Sequence, residues 1–279
     1  MSTVAILNPG TMGVTIGAAA KAGGSTVLWA SAGRGDATRS RAEAAGLEAR
    51  DTLAAVLAES DVVLSVCPPH AALDLAQEVA GLGFSGLYMD GNAIAPATAL
   101  EIGRRVEVAG ARFVDGGIIG PPARHAGSTR LYLSGDGARE AAQLFQGSVL
   151  AAIVCGDRPG AASALKMCYA AWTKGSAAML MAVRAAAEAE GVGGALTDEW
   201  ALSMPGLEAE SEDAAGHSAA KAWRFAGEMR EIADTFAANG LPDGFHGAAA
   251  ELYDRLASFK DAADPVSLDA VIAVLNDKD

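Results

Sequence analysis

The stretch that most constrains the fold of this chain lies at its start. Val4, Ala5, Ile6 and Leu7 form an apolar run without polar alternation, the pattern of a strand covered on both faces. Residues 8–13 break that run, and from Val14 small and apolar residues open a helix. A strand passing through a tight turn into a helix brings backbone N–H groups and the positive end of the helix dipole to one point. That geometry binds a pyrophosphate. The spacing for a dinucleotide is G-x-G-x-x-G. Gly10 and Gly13 hold its second and third positions, and Asn8 replaces the first glycine. Asparagine tolerates left-handed backbone angles better than most residues, so the turn survives the exchange. Asn8, Pro9, Gly10, Thr11, Met12 and Gly13 are thus the expected cradle.

The end of the second strand, residues 25–30, selects the cofactor. A site for NAD places an acid there to accept from the ribose hydroxyls, whereas a site for NADP needs cations or hydroxyls. Ser31, Arg34, Thr38 and Arg39 cluster at this point, and Asp36 is expected to cap the following helix. The expectation is NADP (NADPH).

Strand and helix patterns then alternate. Strands are expected at 46–49, 61–67, 86–90, 111–115, 131–134 and 151–154, with helices at 53–58, 96–108 and 138–145 among those between them. A glycine-proline loop is expected after Asp115. Alternation of this kind makes a doubly wound α/β sheet, here a Rossmann domain over residues 1–157. Beyond Pro159 the strand signals vanish. Residues 160–190 read as one long, mostly apolar helix, followed by helical segments at 198–202, 219–239, 247–259 and 267–275, with loops at 191–194 and 206–216. Residues 158–279 are therefore expected to form an all-α domain for substrate binding and dimerisation.

Composition narrows the partners. A net charge of −13 argues against nucleic acid and anionic membranes, which both require basic surface. The long apolar helix contains Lys166 and Lys174, which argues against a membrane span. With no leader pattern before the first strand, the expected location is cytoplasmic. Cys67, Cys155 and Cys168 sit in apolar segments and read as buried free thiols. His70, His125, His217 and His246 lack metal-ligand spacing, and no metal site is expected. His125 reads as a surface-loop histidine. Tyr169 and Trp172 read as core, and Glu208, Glu210, Glu212 and Asp213 as a solvated acidic loop.

Several stretches together resemble the β-hydroxyacid dehydrogenases and 6-phosphogluconate dehydrogenases, in particular a branch with a short, distinctive C-terminal helical domain. They are residues 7–13, Val66-Cys67-Pro68-Pro69, Asp90-Gly91-Asn92-Ala93, residues 114–122, residues 160–174 and the run 223–232. The resemblance implies an oxidoreductase that moves a hydride between a nicotinamide and a carbonyl or alcohol carbon, with the active site between two domains. It places Cys67, Pro68, Pro69 and Asn92 against the cofactor. Asp115, Gly117, Ile118, Ile119, Gly120, Tyr169, Ala170, Thr173 and Lys174 are placed against the substrate.

The same resemblance makes Lys166 the acid–base residue. Its chemistry agrees: a lysine inside so apolar a helical run costs free energy unless its head reaches a polar cavity, and partial desolvation moves its pKa toward the useful range. Two departures bear on the substrate. Ala170 stands where the family has an asparagine, and Ile119 stands where its substrate loop has a serine. A small acid gripped by its carboxylate becomes a poorer fit, and a bulkier or less polar substrate a better one. The alternatives are reduction of C=N bonds, as in the related imine reductases, and a noncatalytic NADP-binding protein. The apolar helices after Pro159 are also expected to pair two copies into a homodimer.

Overall fold

The computed structural model describes residues 1–260, 262 and 265–277. The chain forms two compact units, Met1–Met167 and Cys168–Asp279. The first contains β1 (Thr3–Ile6), α1 (Gly13–Ala22), β2 (Thr26–Ala30), α2 (Asp36–Ala44), β3 (Glu48–Arg50), α3 (Leu53–Ala58) and β4 (Val62–Ser65). It continues with α4 (Ala72–Gly81), β5 (Leu87–Asp90), α5 (Pro96–Val108), β6 (Arg112–Ile119), β7 (Arg130–Ser134), α6 (Ala138–Gln143) and β8 (Ala151–Gly156). One sheet holds all eight strands in the order β3-β2-β1-β4-β5-β6-β7-β8. The first six are parallel; β7 runs antiparallel to β6, and β8 parallel to β7.

Side-chain alternation divides the core between the two faces of this sheet. Val4 and Ile6 of β1, with Leu64 and Met89, pack against Ile16, Ala19 and Ala20 of α1 and Ala138 and Ala141 of α6. Ala5, Val63 and Tyr88 pack on the other face against Val56 of α3, Val79 of α4 and Ile102 and Val106 of α5. Because both faces are covered, the central strands β1, β4 and β5 are mainly apolar and buried along almost their whole length. This is the doubly wound arrangement.

The long helix α7 (Ala161–Ala189) starts within the first unit and continues through the second. The expected division after residue 157 precedes α7, whereas the first unit keeps about two turns of it, through Met167. The second unit adds α8 (Gly193–Ser203), α9 (Leu207–Ser218), α10 (Ala222–Ala238), α11 (Gly244–Arg255) and α12 (Leu268–Asn276). Its core is built on Met229 and Ile232 of α10, Tyr253 of α11 and Val271 of α12, all fully buried. The rings of Phe225 and Tyr253 meet edge to face at 5.5 Å.

Four sequence expectations need correction. Residues 207–218 form α9 and not a loop, so the acidic residues are helical. That helix buries only Ser211, Ala215 and Ser218, leaving no large apolar side chain to announce its period. Residues 116–119 extend β6, because Gly116 and Ile118 keep pairing with Leu133 and Leu131 of β7. The thiols are not all buried: Cys155 lies exposed on the sheet's edge strand, Cys168 is exposed on α7, and Cys67 is half-buried. Tyr169 and Trp172 are 46% and 76% exposed, and so are not core.

Candidate active site

The turn after β1 is built for close approach. Val14 N–H donates to the Gly10 carbonyl at 2.9 Å, so the helical hydrogen bonding of α1 begins inside the glycine turn. α1 has no side-chain cap and no acid in its first turn. Its N-terminal amides and positive dipole end are thus suited to an anion. A β-carbon on Gly13 would lie 2.0 Å from the Asn8 carbonyl oxygen, so only glycine lets the helix pass the turn this closely. Around Gly10 the corresponding space is open for 4 Å. The residues present thus fit a pyrophosphate: one glycine closes the turn and the other leaves its outer face clear. Sheet order reverses between β1 and β4, where doubly wound folds place their ligands.

At the end of β2, the Arg34 guanidinium donates to the Leu7 carbonyl at 3.2 Å, which lays this cation beside the glycine turn. Arg39 donates to the carbonyls of Ser31 at 2.8 Å and Arg34 at 3.0 Å, bracing the loop on which Arg34 stands. Thr38 accepts from Arg41, a cation the sequence reading passed over although it lies one helical turn beyond Thr38. Asp36 caps nothing. It is the first residue of α2, Gly35 holds the N-cap position, and no side-chain cap bond forms.

The loops after β4 and β5 are held together by Asn92. Its Oδ1 accepts from the Cys67 N–H at 2.5 Å, and its Nδ2 donates to Ser65 Oγ at 3.0 Å and Asp90 Oδ2 at 2.8 Å. At 2% exposure, Asn92 braces the Cys67-Pro68-Pro69 segment and does not reach outward, a correction to its expected cofactor contact. Burial, with the Asp90 charge second, pushes the Cys67 thiol up to about 12 and keeps it protonated.

Asp115 is likewise corrected. It is fully buried: its Oδ2 accepts from Ser134 Oγ at 2.9 Å and the Ser163 N–H at 3.0 Å, and its Oδ1 from Ser163 Oγ at 2.5 Å. The carboxylate joins β6 and β7 to the first turn of α7 and is closed to a substrate. Ile118 and Ile119 are buried in the sheet as well. Gly117 is different. A β-carbon there would lie 2.7 Å from the Ala162 carbonyl oxygen and 3.0 Å from Lys166 Cβ, so α7 rests directly on β6.

Asp90, the last residue of β5, pairs with Asp115, which places Gly117 and the half-buried Lys166 beyond the C-terminal edge of the parallel strands. The glycine turn occupies the same edge. From β1 to β6 there are three strand spacings, about 14 Å. Gly120, at φ +121°, turns the chain away from β6 where only glycine fits, its β-carbon position being 2.3 Å from the Ser128 carbonyl oxygen. The loop that follows returns to α1 through Ala123 N–H, which donates to Thr15 Oγ1 at 3.0 Å. His125 in this loop is exposed.

In the second unit, Lys174 forms a 2.8 Å ion pair with Glu228 and lies 4.8 Å from the Phe225 ring centroid. With its side chain 13% exposed, it is a packing cation and not a free substrate contact. Thr173 donates its hydroxyl to the Tyr169 carbonyl, and Ala170 is fully buried. Among the described residues no group of His, Cys, Asp and Glu side chains is arranged to hold a metal ion, and no helix is long and apolar enough to cross a membrane.

Residues 187–256 match the family model of a domain of unknown function, DUF1932. A 28.5 kDa uncharacterized protein from Methanothermus fervidus is 31% identical over 151 residues, 54% of this chain and 57% of that protein. The chain thus spans little more than half the length of the curated relative it matches. A solved protein of unknown function, structurally similar to 3-hydroxyacid dehydrogenases, is 25% identical, with a TM-score of 0.67 over 92% of this chain and 97% of its own. Mycobacterium tuberculosis 3-hydroxyisobutyrate dehydrogenase is 20% identical, with a TM-score of 0.69 over 99% and 100% of the two chains. A Myxococcus stipitatus imine reductase variant solved with NAD+ is 17% identical, with a TM-score of 0.55 over 99% of each chain. The chain has the fold of the 3-hydroxyacid dehydrogenases.

Proposed function

We propose that this chain is an NADP-dependent oxidoreductase that reduces a carbonyl group or oxidises the corresponding alcohol. The observation that carries the reading is the placement of Lys166 over Gly117, on the sheet edge that also holds the open glycine turn. The fold shared with 3-hydroxyacid dehydrogenases supports it. The amides at the start of α1 would hold the pyrophosphate, and Arg34, with Ser31, Thr38 and Arg39 close by in sequence, would receive the 2′-phosphate. A nicotinamide bound there would supply or accept the hydride. Lys166 Nζ gives a proton to the substrate oxygen in reduction and takes it back in oxidation.

Ile119 stands where the substrate loop of the resembling family has a serine, so β6 lacks the hydroxyl that would grip a small carboxylate. The substrate is accordingly bulkier or less polar than a small hydroxy acid. The same loss favours, as a second reading, reduction of a C=N bond. Exposed Tyr169, Trp172 and Met179 on α7 support a homodimer.

The test is turnover of ketone and cyclic-imine panels with NADPH, for the native chain and for Lys166→Met. Loss of about 10²–10⁴ in kcat with NADPH affinity kept supports Lys166 as the proton carrier. Nucleotide binding without turnover on either panel would support the noncatalytic reading.

A further inference from the structure

Burying a carboxylate is costly unless its oxygens are satisfied. Asp115 meets that condition with three hydrogen bonds, two of them from Ser163, the third residue of the 29-residue α7. The positive end of a long helix dipole adds to the stabilisation. Ser134 serves α7 a second time by accepting from the Ala162 N–H at 3.0 Å. Two residues along β6, on the same face, Gly117 receives the helix at Ala162 and Lys166. One turn of α7 is thereby held at two points: Ser163 by a polar clamp, and Ala162 and Lys166 Cβ by close approach to Gly117. The first sets the rotation of the helix about its axis, and the second its height above the sheet.

We propose that Asp115 is a positioning residue which, through Ser163, fixes the turn of α7 that presents Lys166. This rests on the reading of Lys166 as the proton carrier. The reacting group is then built on the same compact unit as the glycine turn, and its direction is set by a buried carboxylate that never touches substrate. Ser163 serves because its N–H and hydroxyl both face the carboxylate from the first turn, where the amide has no helical partner.

The experiment needs no substrate. Lys21 and Lys166 are the lysines of the first unit, and Lys21, exposed and bonded to the Gly46 carbonyl, is an internal reference. The full-length protein is treated with limiting acetic anhydride, and the modification rates at Lys166 and Lys21 are compared by peptide mass spectrometry. In Ser163→Ala and Asp115→Ala, measured below their melting temperatures, the Lys166/Lys21 ratio is expected to change at least fivefold. Ser163→Thr, which keeps the hydroxyl, should return it to within twofold of native. Should Asp115→Ala fail to fold, Ser163→Ala alone decides, since it keeps the backbone bond to Asp115. An unchanged ratio in folded Ser163→Ala overturns the proposal. A merely structural clamp would lower the melting temperature and leave the ratio as it was. Full turnover in Lys166→Met would overturn the catalytic reading, and with it the catalytic purpose of the clamp, without altering the labelling result.

Discussion

Lys166 and Gly117 meet so closely that a single methyl group added to the glycine would come within 3.0 Å of the lysine's β-carbon. The same methyl would lie 2.7 Å from the Ala162 carbonyl oxygen, a backbone atom that cannot rotate away. Gly117→Ala is therefore expected to push the first turn of α7 off β6. Overpacking of this kind costs about 1–3 kcal/mol. Thermal melting should fall by several degrees, and turnover should fall further than NADPH affinity. Equal losses in both would show that the glycine serves only folding.

The two glycines of the first turn should separate stability from binding. Gly13→Ala drives a β-carbon to 2.0 Å from the Asn8 carbonyl oxygen and should lower the melting temperature by about 4 °C or more. Among the described residues Gly10→Ala meets no atom within 4 Å, and it should leave melting nearly unchanged. Its methyl instead occupies the face expected to receive the pyrophosphate. Dinucleotide affinity, measured by calorimetry, should drop at least about tenfold by the loss of close approach.

Arg34 lies against the glycine turn through its bond to the Leu7 carbonyl. Charge-assisted hydrogen bonds to a phosphate contribute about 1.5–3 kcal/mol, so Arg34→Ala should weaken NADPH about tenfold to a hundredfold. NADH, lacking the 2′-phosphate, should change little. Equal dissociation constants for the two nucleotides in the native protein would reject the assignment.

His246 is buried against Phe236, with ring centroids 4.2 Å apart, and its Nδ1 has no hydrogen-bond partner among the described residues. Burial holds its pKa below the ordinary histidine value. Below about pH 6.5 the unfolded chain takes up a proton that the folded chain refuses, so acid favours unfolding. This loss begins as pH falls through the unfolded value and levels off below the folded one. In His246→Phe, which keeps an aromatic ring beside Phe236, the drop in melting temperature between pH 7.5 and pH 5.5 should be smaller than in the native chain.

Trp172 is 76% exposed on α7, with Tyr169 and Met179 also exposed along the helix. A second copy covering this stripe should be displaced by Trp172→Glu, seen as a halved mass in light scattering. A native chain that is already monomeric at micromolar concentration would remove the expected dimer.

Local chemistry is what a linear reading captures well, and this chain shows both its reach and its end. Val4 to Leu7, the turn to Gly13 and the helix beyond are specified by neighbouring residues, so strand, turn and nucleotide geometry are legible together. The boundaries of α3 and α5 follow as directly, from Thr52 capping α3 and from Pro96 at the first position of α5. Polar residues were harder to place, because their roles depend on partners distant in sequence. Asn92 and Asp115 carry the chemistry of ligand contacts, yet both are buried. Asn92 is held by Ser65 and Cys67, and Asp115 by Ser134 and Ser163, which only the folded sheet and α7 bring near. Gly116 and Gly117 read as a loop because glycine is a poor strand former in isolation. Pairing with β7 and the close approach of α7 made them strand. The sequence by itself determined the alternation of strands and helices in the first unit and the strand–turn–helix at its start. Tertiary structure decided which polar groups face inward, because burial and long-range hydrogen bonds have no signature in local spacing.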